Sequence, residues 1–261
     1  MNTDLTTESP DAETSDSDTP ALVFDDLSMT FPDGTHALDH VSFSVSRGEF
    51  VTVVGPSGCG KSTLLRIASG LEQNTGGLCQ VDHDSIGYVF QDATLFPWRT
   101  VRRNVELLAE LHGLDLKGLS GKVDESLELV NLLEHQDKYP KQLSGGMRMR
   151  ASLARSLVLQ PDVFLFDEPF GALDEISRER LNDELLSLFK AKNFAGLFIT
   201  HSIAEAVFLS TRVLVMSARP GRIIADYEVP FEYPRRHDIR YLPEFAELSG
   251  QISHDLRGAH P

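Results

Sequence analysis

Gly55-Pro56-Ser57-Gly58-Cys59-Gly60-Lys61-Ser62 is the stretch on which the reading of this chain turns. Before it stands Phe50-Val51-Thr52-Val53-Val54, a short run rich in β-branched residues that predicts a buried strand ending at Gly55. After it, residues 61–69 read as a helix. The spacing is the phosphate-binding pattern G-x-x-x-x-G-K followed by Ser or Thr, and the strand-turn-helix context is the one that pattern requires. Glycines let backbone N–H groups turn inward around phosphate oxygens, and the helix N-terminus adds positive potential. Lys61 supplies a point charge for β- and γ-phosphates, and Ser62 offers a hydroxyl to Mg²⁺. The competing reading, a glycine-rich turn that binds nothing, does not account for the strand before and the helix after.

Working outward, Ile86 to Phe90 predicts another strand, and strands return after Pro161 at 163–166, 196–200, 213–216 and 222–227, with helices between the first three of these. Such alternation implies an α/β fold, a largely parallel sheet with helices on both faces. Between them, from about 95 to 160, the pattern is helical. Val101, Val105, Leu108 and Leu111 recur at helix spacing behind a capping Thr100, Val123, Leu127, Val130 and Leu133 repeat the pattern, and Ser144 opens a third helix running to about Leu159. This block reads as a helical subdomain inserted into a core spanning 21–230. Residues 1–20 contain six acidic residues, no Lys or Arg and no aromatic, so a disordered acidic tail is expected there. Residues 231–261 form a C-terminal extension with a weak helical pattern.

Composition bounds the partners. The 261 residues carry a net charge of −15, with the basic residues scattered or in short groups such as Arg148, Arg150 and Arg155. Nucleic acid is therefore not an expected partner, since phosphate-binding faces need a basic stripe. No stretch is long and apolar enough to cross a membrane, and the N-terminus lacks the basic start and apolar centre of a signal peptide, so a cytosolic location is expected. The two cysteines, Cys59 and Cys79, make no disulfide framework. Cys59, inside the phosphate loop beside Lys61, is expected to favour its thiolate.

Val163-Phe164-Leu165-Phe166-Asp167-Glu168 completes the site: four apolar residues predict a buried strand that delivers two carboxylates to the sheet's carboxyl edge, where ligands bind. Asp167 is expected to hold Mg²⁺ through its water shell, and Glu168, one step on and facing differently, to polarise an attacking water. Leu143-Ser144-Gly145-Gly146-Met147-Arg148 is an N-capping serine and two glycines opening a helix, a second anion-binding end. It resembles the signature sequence of ATP-binding cassette (ABC) ATPases.

That resemblance covers about 21–230 and implies a P-loop, RecA-like α/β cassette with an inserted helical subdomain, binding ATP and Mg²⁺. It implies that the loop from Gly55 to Thr63 binds nucleotide, that Phe31 stacks on adenine, that Gln91 senses Mg²⁺ and the attacking water, and that His201 contacts the γ-phosphate. Ser144, Gly145 and Gly146 would meet the ATP held by a second cassette, and Asp174, in Gly171-Ala172-Leu173-Asp174, lies in the loop that crosses between the two. Implied partners are a second copy, a transmembrane permease and, indirectly, an extracytoplasmic solute-binding protein, with the chain peripheral on the cytoplasmic face of the membrane. Met149 stands where many members carry a polar residue, often glutamine. The segment Gln91-Asp92-Ala93-Thr94-Leu95-Phe96-Pro97-Trp98-Arg99-Thr100-Val101, followed by Asn104, is similar to the nitrate/sulfonate/taurine class of importers, as is Pro243-Glu244-Phe245-Ala246-Glu247-Leu248. Residues 91–102 would meet the permease; the apolar Leu95-Phe96-Pro97-Trp98 reads equally as docking surface or core. Soluble cassettes of DNA repair or translation carry long coiled-coil insertions, tandem cassettes or basic arms, none of which is seen. Non-hydrolysing cassettes usually lack the residue at Glu168 or His201.

Overall fold

The structure, a computed structural model, describes residues 20–81 and 86–259. The expected acidic tail therefore lies outside the described residues, except Pro20, which opens the first strand.

Two sheets organise the chain. One is antiparallel, with β1 (Pro20–Thr30), β2 (His36–Ser46) and β4 (Gly76–Val81) in the order β2-β1-β4. The other holds β3 (Phe50–Val54), β5 (Ile86–Val89), β6 (Val163–Asp167), β7 (Ala195–Thr200), β8 (Arg212–Met216) and β9 (Ile223–Glu228) in the order β5-β6-β7-β3-β8-β9. Its strands are parallel except β9, which runs antiparallel to β8. The helices are α1 (Lys61–Ala68), α2 (Val101–Val105), α3 (Leu107–Leu111), α4 (Ser120–Leu129), α5 (Gly145–Leu157), α6 (Glu175–Lys192), α7 (Ile203–Leu209) and α8 (Pro243–Gly258).

The period-2 alternation of strand side chains divides the interior in two. Phe50, Val54, Phe164, Phe166 and Phe198 point to the side that packs on α5, α6 and α7. Val51, Val53, Leu165, Leu197 and Ile199 point to the other, against α1 and the antiparallel sheet. The first side is built on aromatic rings: Phe164 and Phe194 lie 4.4 Å apart, Phe50 and Phe198 5.9 Å. Two glycines, one on β5 and one on β7, make the room. A Cβ at Gly87 would lie 2.7 Å from the Phe164 ring, and one at Gly196 2.7 Å from the Phe50 ring.

Two features differ from the expectation, and the structure gives a place to the C-terminal extension, which its weak helical pattern leaves open. The antiparallel sheet has no counterpart in the sequence reading, because β1 and β2 are broken by register shifts. Asp26 and His40 take left-handed backbone there, which destroys the alternation that reveals a strand. The single helix expected across 101–111 is two short ones, α2 and α3, meeting at Glu106. The C-terminal extension does not stand apart: α8 buries Phe245, Leu248 and Ile252 in the aromatic side of the core, against α7, β8 and β9.

Candidate functional site

The loop from Gly55 to Gly60 leaves β3 at the carboxyl edge of the parallel sheet and enters α1 at Lys61. Gly58 and Gly60 have φ of 75° and 111°, backbone that L side chains rarely adopt. At Gly60 a Cβ would also lie 2.8 Å from the Ala37 carbonyl oxygen, so only glycine lets the loop pass under β2. Lys61 is 5% exposed. Its ammonium donates to the carbonyls of Gly55 (2.8 Å) and Pro56 (2.9 Å), so the cation is held within its own loop. Cys59 is 1% exposed and packs under the loop, with its sulfur where a Gly55 Cβ would clash. Burial pushes its thiol pKa up, more than the nearby Lys61 charge pulls it down. The expectation of a favoured thiolate is thereby overturned: the sulfur lies 3.9 Å from the Lys61 ammonium but is enclosed in the apolar layer, and the cost of desolvating the charged form outweighs the cation.

β6 delivers the two carboxylates as predicted, and the fold separates them. Ser62 Oγ donates to Asp167 Oδ1 at 2.9 Å and Tyr88 OH to Oδ2 at 3.4 Å. Burial raises the Asp167 pKa, the Ser62 hydrogen bond opposes the rise, and the Glu168 charge adds to it. Glu168 has φ of 44°, and its N–H donates to the Ile199 carbonyl of β7 at 3.0 Å. Left-handed backbone at a non-glycine residue costs on the order of 1–3 kcal/mol and turns this side chain out of the strand's alternation. Its Oε2 lies 3.1 Å from His201 Nδ1, at the end of β7. Glu168, Gln91, Phe31, Ala37, Lys61, Ser62, Thr63 and the loop residues Ser57, Gly58 and Gly60 line one cleft of about 290 Å³.

Ser144, Gly146 and Met147 line a different cleft, with Arg150, Ile176, Ser177 and Arg180. Ser144 caps α5, its hydroxyl accepting from Met147 N–H at 3.3 Å, while Gly145 lies against Leu173. Asp174 caps α6 by accepting from Ser177 N–H at 3.0 Å. One chain therefore does not bring the signature residues or Asp174 to the cleft of the phosphate loop. Met149 is buried in the core, and the methionine facing the second cleft is Met147.

The segment after Gln91 is fixed from within. Buried Arg155, on α5, donates to the Thr94 carbonyl (3.0 Å), the Ala93 carbonyl (3.3 Å) and Thr94 Oγ1 (3.1 Å). Buried Asn104 accepts from Phe96 N–H at 2.7 Å and donates to the carbonyls of Phe96, Arg99 and Thr100. Leu95 packs on the core, whereas Trp98 is 71% exposed and stacks on Phe96 at 5.0 Å. The stretch thus divides between the two readings left open by its sequence. Arg219, which lines the first cleft and donates to the Gly58 carbonyl, escaped the sequence reading. It lies 161 positions from Gly58, and the pairing of β8 with β3, with the hydrogen bonds of Gly221 to β2, brings them together.

The oxygen donors suit magnesium. Among the described residues no group of three or more His, Cys, Asp and Glu could hold a metal alone. A hydroxyl and a carboxylate 2.9 Å apart beside a phosphate loop fit an ion that keeps most ligands as water and phosphate oxygen.

The family model described as ABC transporter matches residues 38–171. A protein of Brucella abortus named for ATP binding is 42% identical over 249 residues, 93% of this chain and 95% of its own length. The aliphatic sulfonates import ATP-binding protein SsuB of Bacillus cereus is 44% identical over 214 residues, 79% of this chain and 84% of its own. The structure of cbiO1 of Clostridium perfringens, part of an ABC transporter complex, superposes with a TM-score of 0.75 at 26% identity, covering 90% of this chain and 99% of that one. The cassette MJ0796, solved as a dimer in a post-hydrolysis state with ADP and Pi, superposes at 0.70 and 28% identity, covering 81% and 100%. With the phosphate loop, the paired carboxylates and the second helix-end site all in place, the chain belongs to the ABC transporter family, as an ATP-binding cassette with ATPase activity.

Proposed function

We propose that this chain drives import by hydrolysing ATP at two composite sites in a dimer, each formed by the cleft around Lys61 of one copy and by Ser144, Gly145 and Gly146 of the other. The observation that carries the proposal is the convergence of Lys61, Ser62, Glu168 and Gln91 on one cleft, with His201 3.1 Å from Glu168 and Asp167 hydrogen-bonded to Ser62. A separate cleft at the signature fits a site completed by a second molecule. The dimeric state of the MJ0796 cassette agrees with that reading.

In this mechanism the inward N–H groups from Gly58 to Thr63 and the Lys61 ammonium bind the phosphates, and Phe31 stacks on the adenine. Ser62 and Asp167 would hold Mg²⁺, which supplies neutralisation of phosphate charge. Glu168 accepts a proton from the attacking water, Gln91 orients that water, and His201, beside Glu168, contacts the γ-phosphate. Asp174, at the start of α6 near the second cleft, belongs to the dimer contact. Residues 91–102 dock on a permease, with exposed Trp98 at the contact and Asn104 keeping the loop in shape. Among the described residues no helix is long and apolar enough to cross a membrane, so the chain would reach one peripherally, on its cytoplasmic face. The solute is a small anion: the name of the Bacillus relative points to an aliphatic sulfonate, delivered by an extracytoplasmic binding protein.

Replacement of Glu168 by Gln tests the site. The amide keeps the shape and cannot take the proton, so ATP binding is retained, turnover falls by about 10²–10⁴-fold, and an ATP-bound dimer accumulates in size-exclusion chromatography. Turnover near that of the unaltered protein, measured with the permease, removes Glu168 from the role.

A further inference from the structure

Arg219 sits in the turn between β8 and β9, outside every motif that identifies the cassette. Its guanidinium is split in use. Nε and Nη2 both donate to the Gly58 carbonyl, at 3.1 and 2.9 Å, while Nη1 meets no acceptor among the described residues. The side chain nevertheless lines the cleft that holds Phe31, Ala37 and Lys61. The turn is rigid. Gly221 exchanges backbone hydrogen bonds with β2, its N–H donating to Ala37 and its carbonyl accepting from Asp39 N–H. Ser217 Oγ accepts from Arg222 N–H, and Arg222 is paired with Asp39. Gly221 also lies so close to the phosphate loop that a Cβ there would be 2.3 Å from the Cys59 carbonyl oxygen. On its other side Arg219 faces the turn after Phe31. There the Asp33 carboxyl is held below the usual range chiefly by the Thr35 N–H, with the Arg219 charge contributing least.

A cation with one edge fixed on the outer carbonyl of the phosphate loop and the other edge unused in the cleft has a donor left for a ligand. Arg219 is exposed at the phosphate loop in the same cleft as Phe31, and its charge reaches Asp33 in the turn after Phe31, so the unused edge is available to the Phe31 end of the cleft. We propose that Arg219 is a nucleotide-binding residue that donates from Nη1 to the base-and-ribose end of ATP. This rests on the reading of the cleft as the ATP site.

Calorimetry on the full chain separates the two. Arg219→Ala should weaken ATP and ADP by about tenfold, the worth of one charge-assisted hydrogen bond. The same variant should bind inorganic tripolyphosphate, which has no base or ribose, as tightly as the unaltered protein. Arg219→Lys, which retains a donor for Gly58 and lacks the second edge, should behave like the alanine variant. It also serves as the test protein if the alanine variant fails to fold. Unchanged ATP affinity in both variants overturns the proposal, as does a loss for tripolyphosphate that matches the loss for ATP, because Arg219 would then act only by shaping the loop. Failure of the unaltered protein to bind ATP sinks the reading of the cleft itself.

Discussion

Asp167 and Glu168 are consecutive, and backbone geometry assigns them different surroundings. Asp167 keeps the strand conformation and is tucked against Ser62 and Tyr88. Glu168, in left-handed backbone, reaches His201. The Asp167 carboxylate is half-buried, and desolvation and the Glu168 charge both favour its protonated form. Its pKa in the folded state is raised above the unfolded value. Its contribution to stability is therefore complete only below the unfolded pKa and is lost as pH rises through the folded one. Asp167→Asn removes that loss. In the absence of nucleotide the variant should melt above the unaltered protein at pH 7, with the gap narrowing toward pH 4, while Mg²⁺-dependent turnover disappears. Thermal melts across that range check the sign, and a variant that melts lower at pH 7 refutes the electrostatic account. Stability given up at a residue kept for function is the pattern expected of a proposed metal ligand.

At the scale of elements, the C-terminal helix α8 is informative because its sequence signal is weak. Of its sixteen residues three are buried, Phe245, Leu248 and Ile252. Ile252 is fully enclosed, in a core shared with α7 and β8. Tyr227 of β9 donates to Asp255 at 2.6 Å, fastening the helix to the sheet edge. Ile252→Ala should then cost about 2–5 kcal/mol, the range for a large aliphatic cut to alanine inside a packed core. Urea unfolding should show one transition with a lower midpoint. A cost under about 0.5 kcal/mol, as for surface positions, would mean that α8 packs only loosely and that the extension is separable after all. Within the helical block, Arg102 pairs with Glu106 one turn on, across the junction of α2 and α3, and with Asp124 of α4.

For the whole molecule, the separation of the two clefts carries a consequence for function. Lys61 and Gly146 lie in different clefts of one chain, so each proposed site needs both copies. Gly146 accepts a side chain sterically, since a Cβ there would be 3.9 Å from the nearest atom, Leu181 Cδ1. Gly146→Asp should therefore fold and repel phosphate. Homodimers of Lys61→Ala and of Gly146→Asp should both be inactive. In a mixture, the mixed dimer places both defects at one site and none at the other, so ATPase activity should reappear. No recovery on mixing, with both variants folded, would argue against sites shared between copies.

The apolar runs 50–54 and 163–166, the glycine spacing from Gly55 to Gly60 and the serine-glycine-glycine start at Ser144 announced the parallel core, the phosphate loop and the second helix end without help. Each is written in consecutive residues whose local conformation and chemistry follow from residue type. What escaped was non-local. Pairing of β8 with β3 brings Arg219 to Gly58, although nothing in the neighbourhood of either residue signals the other. Cys59 was misjudged because the loop rotates its sulfur into the apolar layer, a matter of packing depth that adjacency to Lys61 does not reveal. The antiparallel sheet was invisible because its bulges erase the period-2 pattern, and its strands find each other only once folded. Sequence alone determined the elements of the parallel core and the candidate reacting groups they carry; the tertiary structure decided the antiparallel sheet, which side chains are buried, which distant residues meet, and that one chain keeps its two proposed phosphate-binding ends apart, because those outcomes depend on contacts between segments far apart in the chain.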